Sequence, residues 1–166
     1  MASTALRQIR GRVVEGALTL VKEVARHVLH HPVVGVAAAA RTPDGRWLLV
    51  RRADSGTWAL PGGTLEWGET LRKSLARELA EEAGVDDCEI VRLVGVFSRP
   101  ERDPRFHAVT VLFECKIAPP VRSPSNPLEI REARLFAPTE LPDSLALGMR
   151  DLLDVALGAA EGPVIE

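Results

Sequence analysis

The chain predicts an α/β (α+β) domain, with helices layered on a mixed sheet. Three observations support this. The stretch Leu60–Val85 passes from a tight turn into a helix whose Leu71, Leu75 and Leu79 recur at i, i+4 and i+8. Short apolar runs of strand length lie on both sides of it. A second helical pattern, over residues 144–159, closes the chain.

The elements follow in order. Residues 4–29 read as a helix, because Leu6, Ile9, Val13, Ala17, Leu20, Val24 and Val28 step by three or four. Arg7, Arg10, Arg12, Lys22 and Arg26 take its other faces, with Glu15 and Glu23 among them. Such a stripe packs on its own domain or on a second copy, so a homodimer is one expected assembly. The two glutamates and the lack of bulky aromatics argue against a membrane-surface helix. His27, His30 and His31 sit before Pro32 without the further Cys or His partners a zinc site needs, and read as an exposed helix end.

Residues 33–40 (VVGVAAAA) and 47–50 (WLLV) flank Thr42-Pro43-Asp44-Gly45, a turn sequence, and predict a hairpin. Arg51 and Arg52 follow, and Thr57–Leu60 leads into Pro61-Gly62-Gly63. In the central helix Thr70 is placed as N-cap and Gly84 as terminator. Strands are expected over 89–98, 106–117 and 134–136, with a proline-rich loop at 118–127. The closing helix presents Leu145, Met149, Leu152, Leu153 and Ala156, and residues 160–166 are expected to fray. The expected division is a helical extension over 1–31, one domain over 32–160 and a tail over 161–166.

Composition bounds the function. With 46% hydrophobic and 27% charged residues, 166 residues suit one ordinary globular domain. A net charge of −2 argues against an extended nucleic-acid partner. No apolar run reaches the length of a membrane span, and the N-terminus lacks the apolar core of a secretion signal. Cys88 and Cys115 lie in apolar runs and read as buried thiols of a reducing cytoplasm.

The chemistry concentrates on the central helix. Glu78, Glu81 and Glu82 stand at i, i+3 and i+4, so three carboxylates share one face. Their repulsion weakens an isolated helix. Hard divalent cations, Mg²⁺ or Mn²⁺, offset it because they prefer oxygen ligands.

Gly63, Glu69, Arg77-Glu78-Leu79, Glu81-Glu82, Gly84 and Val85 fill every fixed position of the 23-residue Nudix box. The chain therefore resembles the Nudix hydrolases. The resemblance implies a mixed sheet sandwiched between helices, with the 1–31 helix as an addition. It implies Mg²⁺- or Mn²⁺-dependent hydrolysis of a nucleoside diphosphate linked to another group. Glu78, Glu81 and Glu82 match the metal-binding carboxylates, and the carbonyl of Gly62 matches a backbone ligand. The missing side chain of Gly62 would let a metal approach the backbone. Glu69 and Arg77 match a pair that braces the loop against the helix. The base is either a box glutamate or a later acidic residue, for which Glu129 leads over Glu132 and Glu101. Arg51 or Arg52 could meet a phosphate.

Pro100, 15 residues beyond Val85, has the spacing associated with the ADP-ribose pyrophosphatases of the family. Asp103-Pro104-Arg105 with His107 is similar to a loop of relatives acting on such sugars. Arg99, Arg102 and Arg105 suit a diphosphate or terminal ribose by charge. Trp47, Trp58, Trp67, Phe97, Phe106, Phe113 and Phe136 are the rings available to a base. The expected substrate is a small nucleotide, foremost ADP-ribose. Alternatives are a nucleoside triphosphate pyrophosphohydrolase, an RNA 5′-pyrophosphohydrolase and, outside enzymes, a non-catalytic nucleotide sensor.

Overall fold

The computed structural model describes residues 21–22, 31–119, 122–158 and 162–166. Contacts divide the chain into residues 1–32 and 33–166. Of the helix expected over 4–29, Val21 and Lys22 are helical and exposed, and the rest lies outside the described residues.

In the unit 33–166, eight strands form one mixed sheet: β1 Val33–Arg41, β2 Trp47–Arg52, β3 Trp58–Ala59, β4 Gly62–Thr64, β5 Cys88–Phe97, β6 Ala108–Ile117, β7 Ile130–Phe136 and β8 Val164–Ile165. Helix α1 spans Leu71–Ala83 and α2 spans Met149–Leu157. The order is β3-β2-β1-β6-β5-β8, with β4 added on β1 and β7 on β2. The β1–β6 and β5–β8 pairs are parallel and the rest antiparallel.

The sheet is covered on both faces, and strand alternation shows how. Val36, Ala38 and Ala40 of β1 pack with Leu75, Leu79 and Ala83 of α1. Ala37 and Ala39 pack with Leu152, Leu153 and Ala156 of α2. A strand buried on both faces reads as an unbroken apolar run, which VVGVAAAA is. Its alanines keep both layers close to the central strand.

The expected hairpin is present as the antiparallel pair β1–β2, which meets at Arg41 and Trp47 next to its turn, while farther along β1 pairs with β4 and β6. Three expectations are corrected. The closing helix begins at Met149 rather than 144, since Leu147 (φ 56°) and Gly148 (φ 63°) interrupt it in the left-handed region. The strand expected at 134–136 runs from Ile130, paired along β2. The tail expected to fray supplies β8, with Val164 beside Gly95 and Ile165 beside Val96.

Candidate active site

Helix α1 and strand β4 build the site. The Thr70 hydroxyl accepts from the Lys73 N–H at 3.3 Å, and Gly84 ends the helix with φ 65°. With Leu75, Leu79 and Ala83 buried on the sheet, Glu78 and Glu82 turn to the adjoining face, against β4. The Gly62 N–H donates to Glu82 Oε2 at 2.8 Å.

Both glycines are required, for different reasons. A Cβ on Gly62 would lie 2.7 Å from Ala37 Cα and overlap the Val36 carbonyl, so this glycine permits β4 to pair with β1. This packing reason stands beside the expected one, access of a metal to bare backbone. A Cβ on Gly63 would lie 2.6 Å from the Glu78 carboxyl carbon, so Gly63 makes room for that carboxylate.

Arg77 ties the loop after β4 to the helix. Its Nε donates to Glu69 Oε1 at 3.0 Å and its Nη2 to Glu69 Oε2 at 3.1 Å, a forked pair. Nη2 also reaches the Thr64 carbonyl at 3.2 Å, and Nη1 donates to Glu78 Oε1 at 2.8 Å. Glu69 in turn accepts from the Glu66 N–H at 3.1 Å. Hydrogen bonding from Arg77 holds Glu69 below the usual carboxylate range, and Glu69 raises Arg77 above its own. The expected bracing geometry is therefore present.

Glu82 is 8% exposed, and burial, aided by the charges of Glu78 and Glu129, pushes its pKa up to about 8 against the Gly62 hydrogen bond. Glu78 is raised too, by burial first, with Glu81 and Glu129 adding and Arg77 opposing. Glu81 stands apart: its side chain is half-exposed and meets Arg77 Nη1 at 3.4 Å.

Glu78 and Glu82 line a cleft of about 370 Å³, from whose lining Glu81 is absent. Glu129 also lines it. The 122–129 loop is held to α1 by Ser125, whose N–H donates to the Glu81 carbonyl at 2.8 Å, and the Glu129 carbonyl accepts from the Ala53 N–H at 2.7 Å. Glu132 and Glu101 are absent from the lining, and Glu132 instead faces Arg51 at 3.9 Å.

Arg52, Arg102 and Arg105 also line the cleft. Arg51 and Arg52 alternate along β2, and only Arg52 lines the cleft, with Nε on Asp54 Oδ1 at 3.1 Å. Arg51 turns away, donating to the Gly56 carbonyl at 3.1 Å. Arg99 also lies outside the lining, on Glu166 at 3.0 Å. Arg105 forks onto Asp103 at 2.9 and 2.7 Å and covers the Phe106 ring at 5.1 Å. This arginine keeps buried Asp103 below its ordinary pKa.

Of the expected rings only Phe106 lines the cleft. Trp47 and Phe97 are core, Trp58 packs edge-on against Phe136 at 4.8 Å, and Trp67 is fully exposed. Pro100 is exposed and opens the 3₁₀ turn Pro100–Arg102, which delivers Arg102 and Asp103 to the cleft. Asp103 lay in the loop the sequence marked, without a role of its own, whereas Leu147 and Met149 were not singled out for the site and depend on the break before α2.

Among the described residues, no group of three or more His, Cys, Asp or Glu side chains is gathered as a metal cage. A magnesium-type ion does not need one, since one or two carboxylates suffice when substrate and water complete the octahedron. The donor set fits: Glu82, Glu78 and the backbone at Gly62 supply hard oxygens, the kind of ligand Mg²⁺ and Mn²⁺ prefer.

Comparison with known proteins agrees with this geometry. The NUDIX domain model matches residues 30–155. A MutT-like protein of Streptomyces ambofaciens is 37% identical over 127 residues, 74% of this chain and 78% of that one. An ADP-ribose pyrophosphatase of Methanocaldococcus jannaschii is 40% identical over 86 residues, 50% of each chain. The crystal structure of an ADP-ribose pyrophosphatase from Streptococcus suis superposes with a TM-score of 0.63 at 27% identity, covering 81% of this chain and 98% of that one.

Proposed function

The chain belongs to the Nudix family of pyrophosphohydrolases, and from that premise we propose that it cleaves the diphosphate of a nucleoside diphosphate sugar, foremost ADP-ribose, with Mg²⁺ or Mn²⁺. The products would be a nucleoside monophosphate and a sugar phosphate. The observation that carries the reading is the buried Glu82 carboxylate on the Gly62 N–H, in a cleft that Arg52 and Arg105 also line. The cleft thus offers carboxylates to cations and guanidinium groups to anions.

Glu82 and Glu78, with the Gly62 carbonyl, would hold the cation, and Glu81, one turn along the same helix from Glu78, could join them through water. A divalent ion held there would supply neutralisation of the diphosphate charge and a lowered pKa for the attacking water. Arg52 and Arg105 bind and orient phosphate oxygens, each already held by an aspartate. Glu129, which lines the cleft, would take a proton from the water. Arg77 and Glu69 keep Glu78 and the 64–69 loop in register. Phe106 offers one face for a base or ribose. The substrate preference draws support from the ADP-ribose pyrophosphatases among the relatives.

Product identification tests the proposal. ADP-ribose, ADP-glucose, GDP-mannose and nucleoside triphosphates are incubated with the chain and Mg²⁺ or Mn²⁺. AMP with ribose 5-phosphate supports the reading. Inorganic pyrophosphate from triphosphates, without turnover of the sugars, replaces it with the triphosphate alternative. Tight binding without any product points to a sensor.

A further inference from the structure

Besides the Arg77–Glu69 pair, the cleft is fastened at a second point. Arg102 lines it with a side chain only 9% exposed. Its Nη2 donates to Glu166 Oε1 at 2.6 Å and its Nη1 to the Gly148 carbonyl at 2.8 Å. The guanidinium rests over the Phe97 ring at 5.8 Å. Glu166 is itself fixed: its Oε2 accepts from the Ser98 and Arg99 N–H groups, both at 3.0 Å, and its own N–H donates to the Val96 carbonyl at 3.0 Å.

Arg102 thus joins three segments that are remote in the chain: the turn after β5, the break before α2 and the end of β8. The break is unusual, because Leu147 adopts φ 56°, a region non-glycine residues seldom enter. Such a conformation persists when its surroundings hold it, and the Arg102 bond to Gly148 is one such hold. That turn places Leu147 and Met149 on the cleft, while the residues after Arg102 place Asp103, Arg105 and Phe106 there. The guanidinium Nε is buried without an acceptor among the described residues, so Arg102 depends on its other partners. Glu166 supplies its closest carboxylate, with Asp151 farther away at 3.6 Å.

We propose that Glu166 is a positioning residue for the cleft: acting through Arg102, it sets the spacing between the 102–106 loop and the 147–149 turn, and so the shape of the end that receives the group beyond the diphosphate. This rests on reading the cleft as the active site. Glu166 lies outside the lining and touches neither Glu78 nor Glu82, so its loss should act on substrate binding rather than on the chemical step.

The test is a cycle of Glu166→Ala, Arg102→Ala and the double variant, assayed on ADP-ribose, with amide hydrogen exchange on each. The expected result is a KM raised about fivefold in each single variant with kcat within about twofold, and a double variant no worse than Arg102→Ala alone. Exchange should quicken at residues 147–149 in Glu166→Ala while β1 and α1 stay protected, a response at a segment Glu166 does not touch. An unchanged KM, additive losses, or faster exchange confined to 98–99 would overturn the proposal. If the parent hydrolyses none of the diphosphates, the proposed function falls, and the exchange at 147–149 alone decides the brace.

Discussion

Glu82 combines burial, a single backbone hydrogen bond and two neighbouring carboxylates, and the sum favours its protonated form. Its folded pKa of about 8 lies above the unfolded value of 4.5, so the folded chain binds the proton more tightly. The stability this contributes is complete below 4.5 and is lost as pH rises through about 8. Metal-free parent should therefore lose Tm between pH 5 and pH 8 relative to Glu82→Gln, measured by scanning calorimetry; parallel profiles would contradict the assignment. Cation binding must displace the same proton. Mn²⁺ affinity should rise by up to about tenfold per pH unit below pH 8 in titration calorimetry, and a flat profile would count against Glu82 as a ligand. The position of this residue was legible in the sequence, because spacing puts Glu78, Glu81 and Glu82 on one helical face. The unequal burial that separates Glu81 from the other two was not, since it depends on how β4 lies against the helix.

At the level of elements, β4 and its two glycines convert a helix face into a site. Gly62→Ala should disrupt the β4–β1 pairing, because its Cβ meets backbone that cannot move aside, and should cost about 3 kcal/mol in urea unfolding. Gly63→Ala meets a side-chain carboxylate instead. It should keep most of the stability and lose activity through a displaced Glu78; equal stability losses in the two variants would refute the distinction. The caps of α1 could be read from Thr70 and Gly84, and the burial of β1 on both faces from its unbroken apolar run. The partners of β1 could not, because a parallel pairing with β6 across some seventy residues leaves no local mark. The late start of α2 escaped for a related reason. An apolar stripe continues through Leu145 whether or not the backbone breaks at Leu147, and Gly148 was the single clue.

For the molecule as a whole, a sheet covered on both faces carries a cleft lined by both carboxylates and arginines, and the two sets had unequal visibility. Glu78 and Glu82 sit within the box and were read from it. The arginines are drawn from β2, the 102–105 loop and tertiary pairings such as Arg102 with Glu166, 64 residues apart. Sequence could offer its arginines only as a set, from which the fold keeps Arg52, Arg102 and Arg105 and turns Arg51 and Arg99 away. Arg52→Ala should raise KM for a diphosphate substrate about tenfold while leaving stability within about 0.5 kcal/mol, and Arg51→Ala should leave KM unchanged. The most direct measurement for the central claim is the turnover of ADP-ribose by Glu82→Gln at saturating Mg²⁺, with folding matched by circular dichroism. A fall in kcat/KM of about a hundredfold or more is predicted; a variant as fast as the parent would contradict it.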